Sequence, residues 1–308
     1  MANAYSFDGK RFTALDWQPR YALRWTSWRP DGAVALSVGN GGSALLFDGR
    51  KLDFLSTGSR QNLRGAAWSP DGRTALMVGN RGAVFSLQGE SIAEVPSSIT
   101  ENLRRVAWHP GGGYALIVGN AGTVLRYDHA TAALMPLPGD RAHTLRSLAF
   151  RPDGAYALIG AYASRWAGYP RPHPLYRCDG RHFQALLASD DEDDLVAVDW
   201  SISGKALVCG YAWRADGSLV NKAIFFDQAG WQTTAWPAKS VILGAGWQPR
   251  AEEALLVGED GLALKLDDKG GIEQLDSGTN DNLIGPFWRP DGSDAIILKG
   301  PGDKVYTV

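Results

Sequence analysis

"WSPDGRTALMVGNRG", Trp68 to Gly82, places a short, mostly apolar run between two tight-turn signals. The same pattern appears as "WRPDGAVALSVGNGG" at Trp28 to Gly42 and as "WHPGGGYALIVGNAG" at Trp108 to Gly122. Aligned on the aromatic before the first turn, the chain gives Trp28, Trp68, Trp108, Phe150, Trp200, Trp247 and Trp288. Successive spacings are 40, 40, 42, 50, 47 and 41 residues. Each unit carries runs of strand length, such as "LRGAAW", "TALMV", "AVFSL" and "SIAEV" in the second. No stretch sustains a 3.6-residue apolar period with helix caps, which excludes a helical solenoid. Four strands in about 40 residues, repeated seven times, predict an all-β, seven-bladed β-propeller with four antiparallel strands per blade.

The expected blades fall near 23–55, 63–96, 103–137, 145–187, 195–236, 242–275 and 283–308, as a single domain over residues 1–308. The seventh unit, "LIGPFW", "DAIIL", "KVYTV", stops one strand short, and "YSFDGKRFTAL" near the N-terminus matches "LLFDGRKLDFL" of the first blade. An N-terminal strand within residues 5–15, near Lys10 to Leu15, is therefore expected to close the last blade and protect its edge.

The repeated residues have structural work. In Pro30-Asp31-Gly32 and its equivalents, Pro presets φ, Asp bonds its own backbone and Gly accepts positive φ. The Asn and Gly of "GNxG" are expected to take left-handed conformations in the next turn. The aromatic before each first turn is expected to wedge between neighbouring blades.

Bulk properties are restrictive. Hydrophobic residues make up 44% of 308, enough for a sizeable core, and 31 basic against 33 acidic residues give no global pull toward nucleic acid or an anionic membrane. With 37 Gly and 12 Trp, the chain favours many tight turns and many buried rings. Two cysteines, Cys178 and Cys209, form no disulfide framework and suit a reducing compartment. "MANAYSFDGKRF" has no basic start leading into an apolar core, and no run is long enough to span a bilayer. The expected location is the cytoplasm, with no membrane partner.

The "WxPDGxxALxVGxxG…FDG" unit resembles the WD40-like repeats of bacterial and archaeal propellers, including the WSPDG type. The resemblance covers nearly the whole chain, and it implies a propeller that serves as a platform for other proteins. The sequence departs from the eukaryotic pattern in having no Trp-Asp dipeptide at a blade end and no Gly-His start.

On a frame of repeated parts, function is sought where the repeat breaks. With the Trp strand innermost, the PDG turns share one face and the GNxG turns and connectors share the other. On the second face, blade 4 replaces GNxG with "GAYASRWAGYPRPHP", Gly160 to Pro174, bringing Tyr162, Arg165, Trp166, Tyr169, Arg171 and His173 into one loop. Aromatic and Arg side chains on a proline-stiffened loop suit protein hot spots or sugar stacking; packing over neighbouring blades is the alternative. Blade 5 has "GYAWRADGSLVNK", Gly210 to Lys222, adding Tyr211, Trp213 and Arg214, as either a second binding insert or a long hairpin. "SDDEDDL", Ser189 to Leu195, joins the two blades; it lacks the spacing of a calcium loop and reads as a solvated acidic loop. Arg24, Arg64, Arg104 and Arg146 share one position of the innermost strand, held by Val196, Leu243 and Ile284 in the other blades. Converging arginines favour phosphate or carboxylate ligands; ion pairs with connector carboxylates, such as Glu101 with Arg104, are the alternative.

No catalytic or metal motif appears. His109, His129, His143, His173 and His182 form no metal-binding pair in sequence, and His109 follows the blade 3 Trp as a turn-face residue. Asp199 replaces the usual small residue before Trp200, as a buried channel acid or as an acceptor for a backbone amide. The sequence thus reads as a non-catalytic binding platform for another protein, with no cofactor, no metal and no nucleic acid. The alternatives are a small anionic ligand or glycan bound by a lectin-like propeller, and an enzyme with a channel acid or metal centre.

Overall fold

The computed structural model describes residues 2–139, 143–162, 175–187, 193–227 and 230–300. Each of the first six repeats folds as an antiparallel meander. In the first, Leu23–Trp28 pairs with Ala35–Gly39, which pairs with Ser43–Phe47, which pairs with Leu52–Ser56. The described residues form five four-stranded sheets and one eight-stranded sheet. The larger sheet is two such meanders, from the fourth and fifth repeats, joined where Tyr162 pairs with Asp194.

The innermost strands pack on one another in chain order: Leu23–Trp28, Leu63–Trp68, Leu103–Trp108, Thr144–Phe150, Asp193–Trp200, Ile242–Trp247 and Leu283–Trp288. The last packs back on the first, so the sheets close into a ring. Closure is made by strand pairing between the two ends of the chain. Ala4–Phe7 pairs with Ala295–Lys299, and Phe12–Leu15 pairs with Ala4–Phe7. The N-terminus thus supplies two outer strands to the seventh repeat, where the sequence led us to expect one. The difference arises because Ala4–Phe7 takes the third-strand place assigned to "KVYTV", and residues 304–308 lie outside the described set.

Burial explains the strand order. The second strand of each meander is covered on both faces, as in Thr74–Gly79, so it reads as a continuous apolar run. The outermost strand, such as Leu52–Ser56, is largely exposed. The core lies between adjacent sheets: Leu36 and Val38 of the first repeat, for example, pack with Leu63, Met77 and Phe85 of the second.

The turn residues behave as physical chemistry requires. Gly32, Gly72, Gly154 and Gly292 have φ between 68° and 75°. Asp31, Asp71, Asp153 and Asp291 each accept the backbone N–H two residues on. In the GNxG turns, the left-handed residues are the third and fourth, as in Arg81 (φ 54°) and Gly82 (φ 69°), and not the Asn. A Cβ on Gly82 would lie 1.8 Å from the Ile99 carbonyl oxygen, so close backbone approach demands glycine there.

Four of the six repeated Trp residues pin neighbouring repeats through the indole N–H. Trp28, Trp108, Trp200 and Trp288 each donate Nε1–H to a carbonyl of the preceding repeat, Phe287, Ala67, Ala149 and Gly246, at 3.0–3.3 Å. In every case the acceptor precedes the equivalent aromatic. The next residue reaches the other way: Arg289, Gln248 and His109 contact the carbonyls of Gly32, Gly292 and Gly154 in the following repeat. His109, expected on the turn surface, is therefore an inter-repeat bridge, stacked on Tyr114 as well.

Candidate functional site: the channel and its arginine-lined mouth

Arg24, Arg64 and Arg104 stand where the innermost strands are bulged. The register with the second strand slips between Leu23 and Trp25, Leu63 and Gly65, and Leu103 and Arg105. A bulge leaves one residue unpaired and re-aims its side chain. Each re-aimed guanidinium then donates Nε–H to the Asn of its own GNxG turn: Arg24 to Asn40 at 3.0 Å, Arg64 to Asn80 at 3.1 Å, Arg104 to Asn120 at 2.8 Å. This is the role of that Asn, missed in the sequence, where its turn propensity masked it. Connector asparagines lock the same turns from outside, Asn62 accepting from Gly41 N–H and Asn102 from Arg81 N–H.

Among the described residues, none of these three arginines has a carboxylate within ion-pair distance, and Glu101 does not pair with Arg104. Burial, and then the charges of Arg104, Arg24 and Arg146, lower the Arg64 guanidinium to about 10. Burial lowers Arg24 and Arg104 too, with Arg146 adding to the effect on Arg104. In the fourth repeat, where no GNxG Asn exists, Arg146 lies 4.2 Å over the Tyr162 ring.

Arg105 was not singled out in the sequence. It occupies a channel position held by Trp25 and Gly65 in the preceding repeats. Its guanidinium donates to the carbonyls of Arg64 and Arg104 at 2.9 and 2.8 Å and lies 3.9 Å over the Trp25 ring. It thus crosses the second repeat, where a Cβ on Gly65 would sit 2.9 Å from the Arg104 oxygen and 3.1 Å from the Arg105 Cα. Burial, then the charges of Arg146, Arg104 and Arg64, hold it well below the usual guanidinium range.

A funnel of about 650 Å³ enters the ring from the PDG side, with Pro70, Pro152 and Pro290 among its lining and Trp25, Arg105 and Asp199 further in. Asp199 accepts the Trp247 backbone N–H at 2.8 Å. Burial raises its carboxyl to about 6, against the lowering effect of the Trp247 and Trp200 amides. Both sequence readings of Asp199 therefore apply. Cys209 and Cys178 are buried, and burial pushes both thiols up.

The fifth-repeat insert is a long hairpin, in which Ala206–Trp213 and Leu219–Asp227 pair to the Trp213–Leu219 rung. Tyr211 is 1% exposed and belongs to the core shared with the sixth repeat, so it is withdrawn as a surface contact. Trp213 is partly buried against that core, and Arg214 is exposed at the tip. Arg165, Trp166, Tyr169, Arg171 and His173 lie outside the described residues, as do residues 189–192 of the acidic run; Asp193 and Asp194 begin an innermost strand. Among the described residues, no three His, Cys, Asp or Glu gather as a metal-binding group.

No protein-family profile and no curated protein sequence matches the chain. Solved structures do. The β-propeller domain of Myceliophteria thermophila Cps50 (Swd1) superposes with a TM-score of 0.66 at 12% identity, covering 90% of this chain and 96% of that one. At that identity the likeness establishes the propeller fold alone. Among the described residues, no helix is long and apolar enough to cross a membrane.

Proposed function

We propose that the chain is a seven-bladed propeller of the bacterial and archaeal WSPDG kind, acting in the cytoplasm as a non-catalytic platform for another protein. The cyclic packing of the innermost strands and the two-strand clasp support the blade count and the single domain over residues 1–308. The docking surface is the GNxG face, over the fourth and fifth repeats and the channel mouth. The observation that carries this reading is the fusion of those two repeats into one eight-stranded sheet through Tyr162 and Asp194. It is the one place among the described sheets where the repeat boundary is erased. There the fifth-repeat hairpin extends past the GNxG level, with Trp213 and Arg214 at its end. A ring fixed by glycine, proline and inter-repeat hydrogen bonds loses little freedom on binding, as a platform should.

The test replaces residues 163–173 by a short Asn-Gly turn and compares partner recovery from native lysate with that of the full chain. Loss of one stoichiometric partner supports the reading, and equal recovery by both chains refutes it. A second reading, a small-ligand binder, is favoured by the arginine arc and does not depend on a protein partner.

A further inference from the structure

We propose that Arg24, Arg64 and Arg104, at the GNxG-side mouth of the channel, form a binding site for a small anion carrying two or more phosphate groups. The site goes beyond the platform reading and stands on the arginines alone.

The three guanidinium groups are held in one orientation. Each guanidinium is tethered through Nε to the Asn of its own turn, by the same contact in three successive repeats. That contact leaves the Nη1/Nη2 fork of each without a hydrogen-bond partner among the described residues. Paired N–H donors in a planar fork are what grips phosphate bidentately. Three half-buried forks in neighbouring strands of a rigid ring are thus held ready, with little reorganisation needed on binding.

Their positive charge is also left in place. The tethering acceptors are neutral amides, so no positive charge is cancelled by them. Arg64 feels Arg104, Arg24 and Arg146 together, and Arg105 lies behind them with only carbonyls and an indole as partners among the described residues. Like charges crowded in a partly desolvated place repel, and a multivalent anion relieves that repulsion directly. A single carboxylate offers one charge and one edge to three forks. Linked phosphates offer several charges, and their non-bridging oxygens together provide acceptors for more than one fork.

The probe is sodium tripolyphosphate, titrated by calorimetry and by thermal denaturation into the full chain and into R64Q, R64K and the R64Q/R104Q pair. Gln keeps a donor for Asn80 while removing the charge and the fork. We expect tripolyphosphate to bind the parent chain and raise its Tm, with affinity falling as salt rises. R64Q should lose roughly tenfold in affinity and the double variant roughly a hundredfold, about one decade per charge-assisted fork. R64K, keeping the charge without the fork, should fall between the parent and R64Q.

ATP and inositol hexakisphosphate separate the sources of such chemistry. Tighter binding of ATP than of tripolyphosphate assigns a nucleotide, tighter binding of the inositol phosphate assigns a phosphorylated ring, and each supports the site. An equal response in the parent and the double variant overturns it, as does no binding of tripolyphosphate at low salt. Binding of a polyglutamate peptide with no response to tripolyphosphate also overturns it, while leaving the protein-platform reading intact.

Discussion

Replacing Asp199 by Asn tests the energetics of the channel with one atom's change. The carboxyl is raised from 3.8 to about 6, chiefly by burial, while it accepts the Trp247 amide. The folded state therefore holds this proton more tightly than the unfolded state. For an acid shifted upward, stability is gained as pH falls through about 6 toward 4, and is missing above pH 6. Roughly two pH units correspond to about 3 kcal/mol as an upper bound on the cost of the buried charge. Asp199 keeps part of its surface on the funnel, where water screens it, so about half of that is expected. Unfolding entropy of about 2.1 cal/mol/K per residue gives roughly 0.65 kcal/mol/K for the whole chain. Asp199→Asn, which retains an oxygen for the Trp247 N–H, should then raise Tm by about 2–5 °C at pH 8. The assay is scanning calorimetry of both proteins from pH 4 to pH 8. The difference should be small at the acid end, grow through pH 6 and then level off. A Tm difference that does not change with pH, or a variant less stable at pH 8, refutes the account of Asp199 as a charge held at a cost.

Deleting residues 1–15 removes both outer strands of the seventh repeat and uncovers the Ala295–Lys299 edge; thermal denaturation should show a Tm fall of more than about 10 °C or loss of the folded ring. Gly82→Ala forces a Cβ to within 1.8 Å of the Ile99 oxygen at a φ of 69°, and chemical denaturation should record a loss of about 2–4 kcal/mol. Trp108→Phe keeps the wedge and deletes the donor to Ala67, so about 1–2 kcal/mol should go in the same assay.

Much of the frame is legible in the sequence because its residues answer to local rules. Gly72 and Asp71 are fixed by one turn, and Thr74 to Gly79 by burial on both faces, so each run declares itself. Where the structure differs, the cause is non-local. Asn80 has the chemistry of a turn residue and sits in a turn, but its side chain serves Arg64, sixteen residues earlier in the chain. Ala4–Phe7 has no turn linking it to Ala295–Lys299, because ring closure alone brings them together. Tyr211 looks like an exposed aromatic in an insert, yet the longer hairpin folds it into the core shared with the sixth repeat.

Arg105 shows most clearly why a repeat reading conceals a site as well as revealing one. Aligning the repeats compares Trp25, Gly65 and Arg105 as alternatives at one position, and each alone looks like drift. In the ring they are neighbours, and the three choices are one arrangement: a π face in the first repeat, an absent side chain in the second, a guanidinium in the third that spans both. The same holds for the mouth. Arg24, Arg64 and Arg104 look like a repeated framework pattern along the chain, but around the ring they are adjacent charges with neutral tethers. Framework pairs in a protein of balanced charge should find carboxylates, since 33 acidic residues are available to 31 basic ones. Three repeats instead offer amides that aim the arginines and leave their charge intact, which is costly for a frame and useful for a ligand.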